Sequence, residues 1–238
     1  MVNCPHDDKA ECCGNCPYPV VLIATHHRLK ITCKNIESLL NQTLVPKIVV
    51  VTSDQDEAIY FAETYGIESL YHKNEPLGAK WQYGVRDANP LIILGSDDIL
   101  APDYVEQVCR KIKEGFDFIG TTAWYSYDEY RNRVYDTCYI NKNQDFPIGS
   151  GRAYSSVLLN KMKFKLFDTS LGKKLDDFGY YSAIKQSAKT FIIRSPEILA
   201  VKGDWAQMNP MHKYLTSKNI QVQNADLDVL KKFDYVPD

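Results

Sequence analysis

Asp97 and Asp98 follow the apolar run Leu91–Leu94 and precede Ile99-Leu100-Ala101-Pro102. Two adjacent carboxylates at the end of a buried strand repel each other and lose hydration, unless a cation offsets both costs. A hard divalent ion, Mn²⁺ or Mg²⁺, does so and also bridges phosphate oxygens. The competing role is a helix N-cap, for which Asp is a preferred residue. The strand-then-loop setting favours the ion, because open α/β sheets bind ligands beyond the carboxyl ends of their strands. His212, among Met208, Pro210 and Met211, is a third candidate metal ligand, although a lone imidazole also serves structural roles.

Other groups could receive a small anionic ligand. Ser53-Asp54 follows the run Ile48–Val51, where a carboxylate can accept hydrogen bonds from a ribose or a base edge. Asp54 could equally cap the helix that follows. Thr25 ends the first apolar run, and Arg28 stands three residues later as a phosphate partner, after the loop residues His26 and His27. Lys80 and Arg86 are further cations, of the kind that is often solvated on a helix surface. Asp176-Asp177 forms a second acidic pair. It suits either proton removal from a hydroxyl or a charge-favoured helix N-terminus. Cys4, His6, Cys12, Cys13 and Cys16 crowd the start of the chain, with a Cys13-x₂-Cys16 spacing that suits a small Zn²⁺ site. A reduced tail is the alternative there.

The elements that would position these residues alternate. Val20–Thr25, Lys47–Thr52, Ile67–Tyr71, Leu91–Leu94 and Phe116–Gly120 read as short strands. Helices are expected over about 29–42, Asp56–Tyr65, Ala79–Ala88 and from Pro102 to about Lys113, with Gly66 as a stop. This order predicts an α/β fold with a mostly parallel, doubly wound, Rossmann-like sheet flanked by helices. Residues 1–19 read as a Cys-rich extension and 20–238 as the folded domain. Within that domain the texture changes after residue 120, so 20–120 and 121–238 read as two halves, the second ending in a tail. The stretch 124–143 reads as strands or loops at the sheet edge. A short helix over Ser155–Lys161, a helix over Asp176–Lys185 and a strand over Thr190–Ile193 follow.

Composition excludes several classes. The 238 residues are 45% hydrophobic and 24% charged, with a formal net charge of -2 and no Lys/Arg run. The electrostatic footprint of a non-specific nucleic-acid binder is missing. No stretch approaches the roughly 20 apolar residues that span a bilayer. The start lacks the basic and apolar regions of a signal peptide, so a cytoplasmic location is expected. Without a secretory context the seven cysteines argue against a disulfide framework.

Taken together, these residues resemble the family-two glycosyltransferases with the GT-A fold, over roughly residues 20–205. The opening strand with Arg28 and the turn Thr52-Ser53-Asp54 are similar to the family's nucleoside-holding segments. Leu77–Val85, which carries Lys80, resembles the segment that closes over the donor. Ile92–Pro102 resembles the metal loop, usually Asp-x-Asp, with Gly95 standing where the first Asp would fall and Ser96 between it and Asp97. Gly149-Ser150-Gly151 is similar to a loop on the acceptor side. Leu175-Asp176-Asp177 resembles the acidic motif ahead of the catalytic helix, and His212 the late histidine of the metal site. Lys202-Gly203-Asp204-Trp205 resembles a loop near the donor phosphates.

The resemblance implies a UDP-, GDP- or dTDP-sugar donor and a glycan or other hydroxyl acceptor. It implies Asp177 as general base, with Asp176 as the alternative, and inversion at the anomeric carbon. Trp124, Tyr125, Tyr127 and Tyr130 would then stack on acceptor sugars or simply pack. Two rivals remain. A sugar nucleotidyltransferase would need a Gly-rich loop where Ala24–Arg28 has no glycine. A non-catalytic nucleotide- or glycan-binding module would suit the loss of an acid at Gly95.

Overall fold

The fold is given by a computed structural model, which describes residues 18–140, 146–171, 176–203 and 211–237. The candidate zinc residues and Trp205 lie outside the described residues.

Strand β1 (Val20–Thr25) and strand β2 (Lys47–Thr52) fall where their β-branched, apolar runs place them. Both pair in parallel, Val20 with Lys47 through Thr25 with Thr52. Val21, Leu22, Ile23, Val49, Val50 and Val51 are fully buried, as strands covered on both faces must be. Helix α1 (Leu29–Leu40) joins them and buries Ile31, Thr32, Asn35, Ile36 and Leu39 along one stripe. Helix α2 (Gln55–Tyr65) is capped by Asp54, which accepts from the Asp56 and Glu57 N–H groups at 2.9 and 3.2 Å. It stops at Gly66, left-handed at φ 65°, where glycine carries no Cβ penalty.

Strand β3 (Glu68–Tyr71) and helix α3 (Leu77–Gly84) follow. Helix α3 ends four residues earlier than its expected end at Ala88. Val85 is extended, and a Cβ on Gly84 would collide with the Leu22 and Val51 side chains. Strand β4 (Leu91–Gly95) pairs in parallel with β1. The polar-looking turn after it is not all loop: Asp98–Leu100 is strand β5. Helix α4 (Tyr104–Lys113) therefore starts after Pro102 rather than at it.

Strand β6 (Phe118–Thr121), strands β7 (Ala123–Asp128) and β8 (Arg133–Tyr139), strand β9 (Arg152–Tyr154), helix α5 (Ser156–Lys161) and helix α6 (Asp176–Lys185) come next. They are followed by β10 (Thr190–Ile193), β11 (Ile198–Lys202), α7 (Met211–Leu215), β12 (Ile220–Ala225) and α8 (Val229–Lys232). The main sheet runs β10-β6-β9-β4-β1-β2-β3, parallel except where β9 pairs antiparallel with β4 and β6.

The stretch expected to form strands or loops at the sheet edge does form strands, but they belong to a second sheet, β12-β8-β7-β11-β5. Trp124 and Tyr127 are buried in it, at 3% and 2% exposure, so their role is packing. Tyr130 is 84% exposed. No helix among the described residues is long and apolar enough to cross a membrane.

Candidate functional site

Four segments meet at the carboxyl edge of the main sheet: the loop after β1, the loop after β2, α3, and the Gly95–Asp98 turn after β4. Parallel pairing aligns β1, β2 and β4, so their ends open on the same side. Lys80, fully buried on α3, reaches across this edge. Its ammonium donates to the Thr25 carbonyl, to Ser53 Oγ at 3.3 Å and to Asn74 Oδ1 at 3.2 Å. Burial pushes Lys80 down to about 8, against the pull of nearby Glu57. Far from being a solvated helix cation, it ties three loops together.

His27 Nδ1 lies 3.3 Å from Asp54 Oδ2, and Glu57 accepts from Thr52 Oγ1 at 2.7 Å. Hydrogen bonds from the Glu57 and Asp56 N–H groups hold the Asp54 carboxyl below its ordinary value. His27, Asp54 and Glu57 are a group of three possible metal donors among the described residues, within 4.8 Å of one another. Asp54 and Glu57 are already engaged by the helix cap and by Thr52.

The Gly95–Asp98 turn holds the acids. Asp97 is gripped from two sides: Lys202 Nζ at 3.0 Å from Oδ2, and Arg28 Nη1 at 3.5 Å from Oδ1. Arg28 also reaches Ser96 Oγ at 3.4 Å. Burial alone would raise Asp97, but Lys202 and then Arg28 overcome it and keep it low. Asp98 is pushed up to about 6, first by burial and then by the Asp97 charge beside it.

The absent acid at position 95 has a geometric counterpart. A Cβ on Gly95 would collide with Asp98 Oδ2 and would lie 3.5 Å from Asp97 Oδ1. The Asp98 carboxyl therefore stands where a side chain from position 95 would begin. Ser150, from the glycine-containing loop before β9, accepts from the Gly95 N–H at 2.9 Å and donates to Asp98. Gly95→Ala should then force the Asp98 carboxyl aside and cost about 1–3 kcal/mol by overpacking. Thermal melts of Gly95→Ala, Asp98→Ala and the double variant test this. The alanine at 95 should cost clearly less once Asp98 is truncated.

His212 does not join these acids. Among the described residues, Asp97, Asp98 and His212 form no three-donor group. The cause is local: Met211 is the buried residue of short helix α7, and His212 beside it is exposed. Asp177 is half-buried in the first turn of α6. Asp176 opens the same helix, and its side chain lies outside the described residues.

One residue of the site escaped notice in the sequence. Asn35, fully buried on α1, donates from Nδ2 to the Gly95 carbonyl at 2.8 Å and to the Asp98 carbonyl at 2.7 Å. Its signal was a polar residue within the apolar stripe of an amphipathic helix. Lys202 closes β11 rather than lying in a loop, and no local pattern pointed it at Asp97.

A family model described as glycosyl transferase family 2 matches residues 20–188. A Bacillus subtilis (strain 168) protein titled "Uncharacterized glycosyltransferase YwdF" is 25% identical over 115 residues, covering 43% of this chain and 41% of that protein. The crystal structure of S. aureus TarS superposes with a TM-score of 0.59 at 15% identity, covering 77% of this chain and 36% of that one. At that identity the likeness is one of fold. The chain thus spans about two fifths of the length of these two proteins.

Proposed function

Because this chain belongs to glycosyl transferase family 2, we propose that it moves a sugar from a nucleoside-diphosphate-sugar donor to an acceptor hydroxyl. The observation that carries this reading is the meeting of Arg28 and Lys202 on Asp97, beside Asp98, at the sheet edge where Lys80 ties the loops after β1 and β2. Such a cluster suits a diphosphate, which needs cations close to each of its oxygens.

In this reading residues 20–120 hold the donor and 121–238 supply most of the acceptor side. Asp54, Ser53 and Thr25 face the nucleoside, whereas Arg28, Ser96 and Lys80 face the phosphates. Asp97 and Asp98 would hold Mn²⁺ or Mg²⁺. The fit rests on two adjacent carboxylates, one already carrying an ammonium as a stand-in cation. When bound, the ion supplies neutralising charge to the leaving diphosphate. Asp177, or Asp176 in its place, accepts the proton of the acceptor hydroxyl. The hydroxyl oxygen bonds to the anomeric carbon from the face opposite the phosphate. The carbon–oxygen bond to the diphosphate breaks with its electron pair leaving on the nucleotide, and the configuration inverts.

The test is a panel of UDP-, GDP- and dTDP-sugars with Mn²⁺, read by nucleoside diphosphate release and by product anomer. One nucleotide class should be consumed with inversion. Retention would remove the single-displacement role of Asp177. Binding without turnover would favour a binding module, which Gly95 makes the specific rival. Nucleotide-sugar synthesis from a nucleoside triphosphate and a sugar phosphate would favour a nucleotidyltransferase.

A further inference from the structure

Lys202 is placed by backbone, not by chance contact. Strand β11 runs antiparallel to β5, with Ala200 opposite Asp98, and the Val201 N–H donates to the Asp97 carbonyl at 2.8 Å. This pairing fixes the start of the Lys202 side chain beside Asp97. The ammonium then meets Oδ2 at 3.0 Å and lies 5.9 Å from the centre of the Tyr214 ring, on a side chain that is 6% exposed. Arg28 covers the other Asp97 oxygen, and position 95 contributes no acid. A divalent ion seated on Asp97 would have to displace a cation that the strand pairing keeps in place.

We infer that Lys202 is a tethered cation of the donor site, able to serve the diphosphate without an added metal ion. This rests on the donor-site reading above. The four-carbon stem lets the ammonium swing from Asp97 to a phosphate oxygen while its Cα stays anchored. Arg28 is already directed at the same spot, so two fixed positive charges face the ligand. Mn²⁺ then competes with Lys202 for Asp97 instead of being required for binding.

The test is calorimetry with UDP, GDP, CDP and dTDP, in EDTA and in Mn²⁺, on the wild type, Lys202→Met and Lys202→Arg. At least one nucleotide should bind the wild type in EDTA, within about threefold of its affinity in Mn²⁺. Lys202→Met should weaken that EDTA binding by about tenfold or more, the loss expected of one charge-assisted contact. Mn²⁺ should restore most of it, and Lys202→Arg should retain metal-free binding. Wild-type binding that appears only with Mn²⁺ overturns the inference and leaves the donor site standing. Unchanged binding by folded Lys202→Met in EDTA overturns it as well. The wild-type comparison alone decides the matter if Lys202→Met does not fold. Absence of nucleotide binding under every condition overturns the donor-site reading, and this inference falls with it.

Discussion

Asp177→Asn is expected to lower kcat for sugar transfer by about 10²- to 10⁴-fold, the usual contribution of a general base. Nucleoside diphosphate affinity should stay unchanged. The asparagine keeps the shape of the side chain and its capacity to hydrogen-bond, but cannot take up the hydroxyl proton. Asp177 has a firm seat. Its helix rests on β9, where a Cβ on Gly179 would lie 2.7 Å from the Tyr154 hydroxyl. The Tyr180 ring packs on Phe118 at 5.6 Å and on Phe146 at 4.9 Å. Strand β9 pairs with β4, whose end carries the acidic turn, so α6 and that turn are braced on adjacent strands. A drop in kcat with KM unchanged marks an interaction made only in the transition state. If Asp176→Asn produces the loss and Asp177→Asn does not, the two acids exchange roles. If neither costs more than about fivefold, the general-base reading fails.

The parts of the fold legible in the sequence share one physical cause. Strands β1 and β2 coincide with their apolar runs because a strand covered on both faces cannot tolerate polar residues. Gly66 and the acidic start of α6 are local punctuation, readable wherever they occur. The second sheet was not legible. Its strand β5 is three residues long and begins at Asp98, whose buried carboxyl reads as loop chemistry. Its partner β11 arrives about a hundred residues later, and β7 and β8 mix aromatic and polar residues without a clean period. The site divides in the same way. Asp54, Arg28, Ser96 and Asp97 announce themselves at strand ends or close to them, Lys80 does so only as a helix cation, and all five lie at one edge of the sheet. Asn35 becomes visible only through a contact 60 residues away, and nothing local aimed Lys202 at Asp97, 105 residues away. His212 carried the right chemistry for a metal site, but a buried neighbour turns it outward.

Asn35→Leu should be the most damaging single change outside the reacting groups. The Asn35 amide nitrogen is the shared donor to both ends of the acidic turn, the carbonyls of Gly95 and Asp98. Its oxygen has no partner among the described residues, so the side chain's contribution lies in those two bonds. Leucine keeps the branched outline but is larger, which adds an overpacking cost at this fully buried position; removing the stranded oxygen is a small gain. Leucine also leaves two carbonyls without their side-chain donor, at about 1–3 kcal/mol for each one that is left buried and unpaired. The net loss should be about 2–4 kcal/mol, or roughly 5–15 °C in Tm for a domain of this size. Asn35→Asp should be worse, because it turns a donor into an acceptor against both carbonyls. It also brings a third carboxyl towards Asp97 and Asp98, which already repel each other. Nucleoside diphosphate affinity should fall in the leucine variant even below its melting range, since the turn that aims both carboxyls has lost its tie to α1. A Tm within about 1 °C of wild type would mean that Ser150 and the sheet hold the turn unaided. Asn35 would then be a passenger on its helix rather than the link between α1 and the acids.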